Sequence, residues 1–141
     1  MNEKPLVIYF SIKDPARKLS LLCSISQKHL SHKQPLHILS ADRTSLNFVS
    51  QLLWKEPKEG FIVHSDNPGD DLKMLIQLTL PLPSYAEAES IFNLTAQALI
   101  VSTPLKKIYE FEDLSHPSKK ALFEKKFIAY QEAGYTLSQM G

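Results

Sequence analysis

Apolar residues in this chain come in short runs divided by amphipathic stretches, and the alternation predicts strands separated by helices. Leu6 to Ile12 is a continuous apolar run of the buried-strand type. Asp14 and Pro15 follow as an N-cap with proline in the first turn. The helix they open carries Leu19, Leu22, Cys23 and Leu30 near one face and ends around His32. Leu36 to Ser40 reads as a second strand bounded by Pro35. Asp42 caps a second helix in which Leu46, Val49 and Leu53 keep helical spacing as far as Trp54 and Pro57. Phe61 to Val63 is expected as a third strand. After a polar turn containing Pro68 and Gly69, Met74 to Leu80 is expected as a fourth, ended by Pro81 and Pro83.

Ser90 to Thr95 predicts a fifth strand. Lys107 to Glu112, where Ile108 alternates against charged neighbours, predicts a sixth near an edge of the sheet. Ala98 to Val101 is ambiguous between strand and a short helical turn, with Pro104 limiting both. His116-Pro117-Ser118 opens a last helix, which Gly134 closes in the left-handed conformation. Strands separated by helices make a three-layer α/β sandwich with a largely parallel central sheet, Rossmann-like in outline. The chain is expected to form a single domain over 1–141, without internal repeats.

The last helix has the most informative surface. Phe123, Phe127 and Tyr130 fall at i, i+4 and i+7, a stripe that is either core or a docking surface. Lys119, Lys120, Lys125 and Lys126 stand against Glu124 alone between residues 119 and 128, although the whole chain carries a net charge of only +1. Positive charge beside apolar surface suits an acidic, partly apolar partner.

Candidate chemistry elsewhere is thin. The four glycines lie at 60, 69, 134 and 141, so the first strand-to-helix turn carries no phosphate-cradling glycine loop. His29 and His32 are three apart on the first helix, with no carboxylate or cysteine at a useful spacing. Two solvated histidines near a helix end are expected there rather than a metal site. His64, Asp66, Asp70 and Asp71 form the best acidic cluster, at the end of the expected third strand. A small metal- or nucleotide-dependent hydrolase would use it, but a polar turn satisfying its own backbone is the plainer reading. Cys23 reads as a small core residue. Trp54, followed by Lys55, Glu56 and Pro57, sits where an interface anchor or a half-buried core aromatic is expected.

Composition narrows the classes. At 141 residues, 43% hydrophobic and 22% charged, the chain describes a soluble globular protein. It has no tract long enough to span a bilayer. A start that runs directly into a strand, together with one cysteine, points to a reducing cytoplasm. Near-neutral charge argues against strong direct binding of nucleic acid, including through the lysines and aromatics of the last helix.

Two separated blocks carry a family resemblance. Ala129-Tyr130-Gln131-Glu132-Ala133-Gly134-Tyr135 and the upstream Leu53-Trp54-Lys55-Glu56-Pro57 with Phe61 and His64 resemble signatures of the chi subunit of bacterial DNA polymerase III. The likeness runs from Tyr9-Phe10 to the last helix and is faint between Leu80 and Lys106. It implies a non-catalytic replisome adaptor without cofactor or metal, linking the clamp loader to single-stranded DNA-binding protein. In that family the positions of Trp54 and Phe61 contribute to the surface that holds a small psi subunit. The acidic tail of single-stranded DNA-binding protein, ending in an apolar residue and a free carboxylate, is the other expected partner. Its pocket is expected from Lys120, Lys125, Lys126, Phe127 and Tyr130. Lys120 matches the first of the family's helical basic positions, whereas the next two correspond to Glu124 and Ile128. Either Lys119, Lys125 and Lys126 supply charge from a rotated face, or tail binding is weakened or lost.

Overall fold

The computed structural model describes residues 4–55, 76–79, 89–100 and 105–140, apart from the Trp54 side chain. Within them the chain runs β1 (Leu6–Ile12), α1 (Pro15–Ser31), β2 (Leu36–Leu39), α2 (Arg43–Lys55), β3 (Ile76–Thr79), β4 (Ser90–Asn93), β5 (Lys107–Asp113), α3 (Pro117–Glu132) and β6 (Thr136–Met140). All six strands are parallel, in the order β3-β2-β4-β5-β1-β6. Both faces of such a sheet need cover, because parallel neighbours are joined by crossovers, usually helical, that pass over one face or the other. Alternation along the strands supplies two apolar faces. Phe10, Ile12, Leu36, Ile38, Ile76, Leu78, Phe92, Tyr109 and Phe111 pack with Leu22 and Cys23 of α1 and with Leu46, Val49, Leu52 and Leu53 of α2. Val7, Leu39, Ile91 and Ile108 pack with Tyr130 on the opposite face. The result is the expected three-layer α/β sandwich.

Helix ends obey local chemistry. Asp14 Oδ1 accepts from the Ala16 N–H at 3.0 Å, and Asp42 Oδ1 accepts from the Ser45 N–H at 2.8 Å. His116 caps α3 through Nδ1, which accepts from the Ser118 N–H at 3.2 Å. At the other end Gly134 takes φ +84°, and the Tyr135 N–H donates to the Tyr130 carbonyl at 2.9 Å. That left-handed turn drops the chain straight into β6.

Three expectations need correction. β5 is not near an edge but lies between β4 and β1. Its charged residues looked like an exposed alternation, yet Glu110 is 0% exposed, because partners from other elements satisfy its carboxylate. The actual edge strand beside β1 is β6, whose short polar run Thr-Leu-Ser-Gln-Met carries little strand signal. His29 is not solvated; it is 3% exposed. Its Nδ1 lies 3.1 Å from the Gln34 carbonyl and its Nε2 2.8 Å from the Tyr109 hydroxyl. A carbonyl only accepts, so Nδ1 carries the proton and Nε2 accepts from Tyr109. Ala98 to Ile100 forms neither helix nor strand. The expected strand at Phe61 to Val63 lies outside the described residues.

Burial holds the imidazoles of His29 and His37 below their ordinary range, and in His29 the Gln34 carbonyl opposes this. Both therefore stay neutral in the fold while the unfolded chain binds protons as pH falls through about 6.5. Their stabilisation is complete above that value and is lost on acidification toward the lowered folded values. Urea midpoints should fall from pH 7.5 to 5.5, and His29→Gln should flatten that decline. Glu110, shifted upward by burial, acts with the opposite sign but is common to both proteins, so the difference in slope reports His29.

A helix with two unlike flanks

The sheet presents Val7, Tyr9 and Ser11 of β1 to α3, beside their register partners Ile108, Glu110 and Glu112 of β5. Extended strands put alternate residues on one face, so one turn of α3 meets both aromatic and acidic neighbours. Beneath the helix, Glu110 is held from three directions. Lys126 Nζ donates to Oε1 at 2.8 Å, while the Tyr130 hydroxyl and the Asn93 side-chain amide donate to Oε2 at 2.5 and 2.8 Å. Desolvation pushes the Glu110 carboxyl upward, against the pull of Lys126, Tyr130 and Asn93. The Tyr130 hydroxyl is likewise driven far above its ordinary value by burial and by Glu110, so it stays a proton donor. Its oxygen also accepts from the Leu99 N–H at 3.0 Å.

On one flank of α3 a crevice of about 190 Å³ opens at the carboxyl ends of β4 and β5. Its wall includes Lys18, Lys119, Leu122, Phe123 and Lys126, with Asp113 and Glu110 among its acids. Lys18 and Lys119 share the single Asp113 carboxylate, at 3.3 and 3.6 Å. Burial would raise that carboxyl, but Ser115 and Lys18 hold it below its usual range. Neighbouring strands β1 and β5 send their helices to opposite faces of the sheet here, the switch point where open α/β sheets tend to leave a crevice.

The other flank carries a wider groove of about 440 Å³ lined by Tyr9, Glu112, Phe123, Glu124, Phe127 and Ile128. Phe127 is half-buried and meets Tyr9 edge-on, with ring centroids 6.0 Å apart. Ser11 donates to Glu112, and Gln139 of β6 donates to Ser11 at 2.8 Å, which fixes the carboxylate in place.

The five residues expected to form one tail pocket therefore do not share a surface. Tyr130 is 0% exposed and belongs to the core, which removes it from any surface pocket. Lys126 is buried against Glu110 and reaches only the crevice. Phe127 lines the opposite groove, and Lys120 and Lys125 point to solvent. Consecutive helical residues diverge by about 100°, so a run such as 125–127 cannot face one ligand together. Trp54 falls within α2, its side chain outside the described part of the structure, and Phe61 lies outside the described residues, as does the acidic turn of His64, Asp66, Asp70 and Asp71. Among the described residues no group of three or more His, Cys, Asp or Glu is placed to hold a metal ion. None of their helices is long and apolar enough to cross a membrane. Sequence reading passed over Lys18, Glu112 and Asp113, whose one available signal was their position at or just beyond the carboxyl ends of strands.

These features define a layered α/β fold in which, among the described residues, a crevice and a groove flank the last helix on either side of the buried Glu110 network. The chain belongs to the DNA polymerase III chi subunit family, HolC, whose model matches residues 6–138. No curated protein matches it. Chi is an accessory subunit of DNA polymerase III, so the chain is a DNA replication protein.

The Glu110 network gives a direct stability test. Lys126→Met should destabilise the protein by about 3 kcal/mol, because it strands a buried carboxylate without its cation. Adding Glu110→Gln to Lys126→Met should recover most of that loss. Urea denaturation of both variants at pH 7 measures it.

Proposed function

We propose that the chain is a non-catalytic adaptor of the DNA polymerase III holoenzyme, linking the clamp loader to coated single-stranded DNA by capturing the acidic tail of single-stranded DNA-binding protein. One observation carries the reading: two lysines, 18 and 119, share one carboxylate beside exposed Leu122. Such a crevice offers surplus positive charge and an apolar wall together. A tail ending in an apolar side chain and a free carboxylate needs both, its side chain against Leu122 and Phe123 and its carboxylate toward Lys119 and Lys18. Lys126 is committed to Glu110 and steadies the floor rather than meeting the tail. Lys120 and Lys125, exposed and without an ion pair among the described residues, attract the tail's other acids during encounter. This arrangement supplies the charge from a rotated face of the helix, away from Glu124 and Ile128.

Weak contacts to many tails raise the effective concentration of the polymerase assembly along a coated strand without direct contact to DNA. Trp54 and Phe61 are the proposed seat of a psi-like subunit, and the cytoplasm the proposed location.

Titration with a labelled peptide from the C-terminus of the same organism's single-stranded DNA-binding protein tests the reading. Binding should saturate, vanish when the last residue is removed, and weaken with salt. Lys119→Ala should lower affinity by about threefold to tenfold, as expected for a partly exposed charge contact, while Phe127→Ala leaves it within error. Absence of binding at low salt would sink the tail-docking mechanism.

A further inference from the structure

The groove on the far side of α3 has chemistry opposite to that of the crevice. Its floor is aromatic and aliphatic: Tyr9 and Phe123 lie 5.3 Å apart between centroids, Phe127 closes over them, and Ile128 is 54% exposed at the rim. Its charged residues are both acids, Glu112 and Glu124. Neither carboxylate has an ion-pair partner among the described residues. Lys120, one turn before Glu124, shares that flank by helical spacing but does not line the groove. Glu112 is held from behind by Ser11 and Gln139, hydrogen bonds that orient it without neutralising it.

We infer that this groove is a second docking site, for an extended segment of a partner protein that places an apolar side chain beside a lysine or arginine. The apolar side chain covers Phe127, Tyr9 and Ile128, and the cation is received between Glu112 and Glu124. An acidic segment is disfavoured there, because both carboxylates repel it and neither is tied up in an ion pair among the described residues. One helix thus sorts two partners by charge, an acidic one on the crevice flank and a basic one on the groove flank. The inference goes beyond the tail-binding reading and does not depend on it, since the two sites share only Phe123, buried between them.

Two fluorescein-labelled octapeptides test it against the full chain: Gly-Ser-Lys-Leu-Phe-Lys-Ser-Gly, and the same sequence with glutamate in place of both lysines. The lysine peptide should bind saturably, with amide shifts confined to residues around 9, 112 and 123–128, and at least about fivefold more tightly than its acidic counterpart. Glu112→Gln combined with Glu124→Gln should lower its affinity by about threefold to tenfold. Lys119→Ala should leave it unchanged, although that variant weakens the acidic tail on the other flank. Equal affinity for the two peptides, shifts that map elsewhere, indifference to the double substitution, or no saturable binding at millimolar peptide would each overturn the assignment. A groove that fails while the tail still responds to Lys119→Ala leaves the adaptor reading standing, and the reverse result does the opposite.

Discussion

A carboxylate in the middle of a parallel sheet sets the terms for the rest of this molecule. Glu110 is wholly buried on a central strand, where removing an ion from water costs several kcal/mol unless its lone pairs are filled. Three donors fill them, from β4 and from two successive turns of α3. The carboxylate therefore fixes how far along β5 the helix sits and which way it is rotated. A one-residue rotation of α3 would withdraw Lys126 and Tyr130 together, so apolar packing alone does not choose the helix orientation.

That fixed rotation is what divides the surface. With Lys126 and Tyr130 turned down toward Glu110, Lys119 and Leu122 fall to the side of the crevice. Phe127, Glu124 and Ile128 fall to the groove. Tyr9 and Glu110, register neighbours on adjacent strands, carry the same division into the sheet: one supports Phe127 and the other anchors Lys126. A domain in this fold class can bind nucleotide through a glycine loop after its first strand. Here that turn is Asp14 and Pro15, which spend their chemistry on starting a helix. The crevice and the groove lie instead along the last helix.

Much of the architecture was legible because it depends on local rules. The apolar run of β1, the caps at Asp14, Asp42 and His116, and the left-handed Gly134 each follow from residue type and spacing, with no need for a distant partner. The two failures of strand placement have different physical sources. A charged residue reads as exposed in sequence, and β5 became central only because Lys126, Tyr130 and Asn93, from 16 and more residues away, made the burial of Glu110 tolerable. β6 went unseen because an edge strand needs little apolar character when its ladder with β1 does the holding. His29 was misjudged for a related reason, since its burial depends on Tyr109, 80 residues on.

The sequence by itself determined the class of fold, the ends of the helices, the lack of a phosphate loop and, through two separated motifs, the family. Those are properties of short windows, where backbone preference and hydrophobic period act directly. The tertiary structure alone decided which of five neighbouring helical residues meet solvent, and on which side. Side chains one residue apart diverge by about a quarter turn, so a cluster in sequence becomes a cluster in space only where the fold rotates it there. In this protein the rotation is set by a buried carboxylate on another strand.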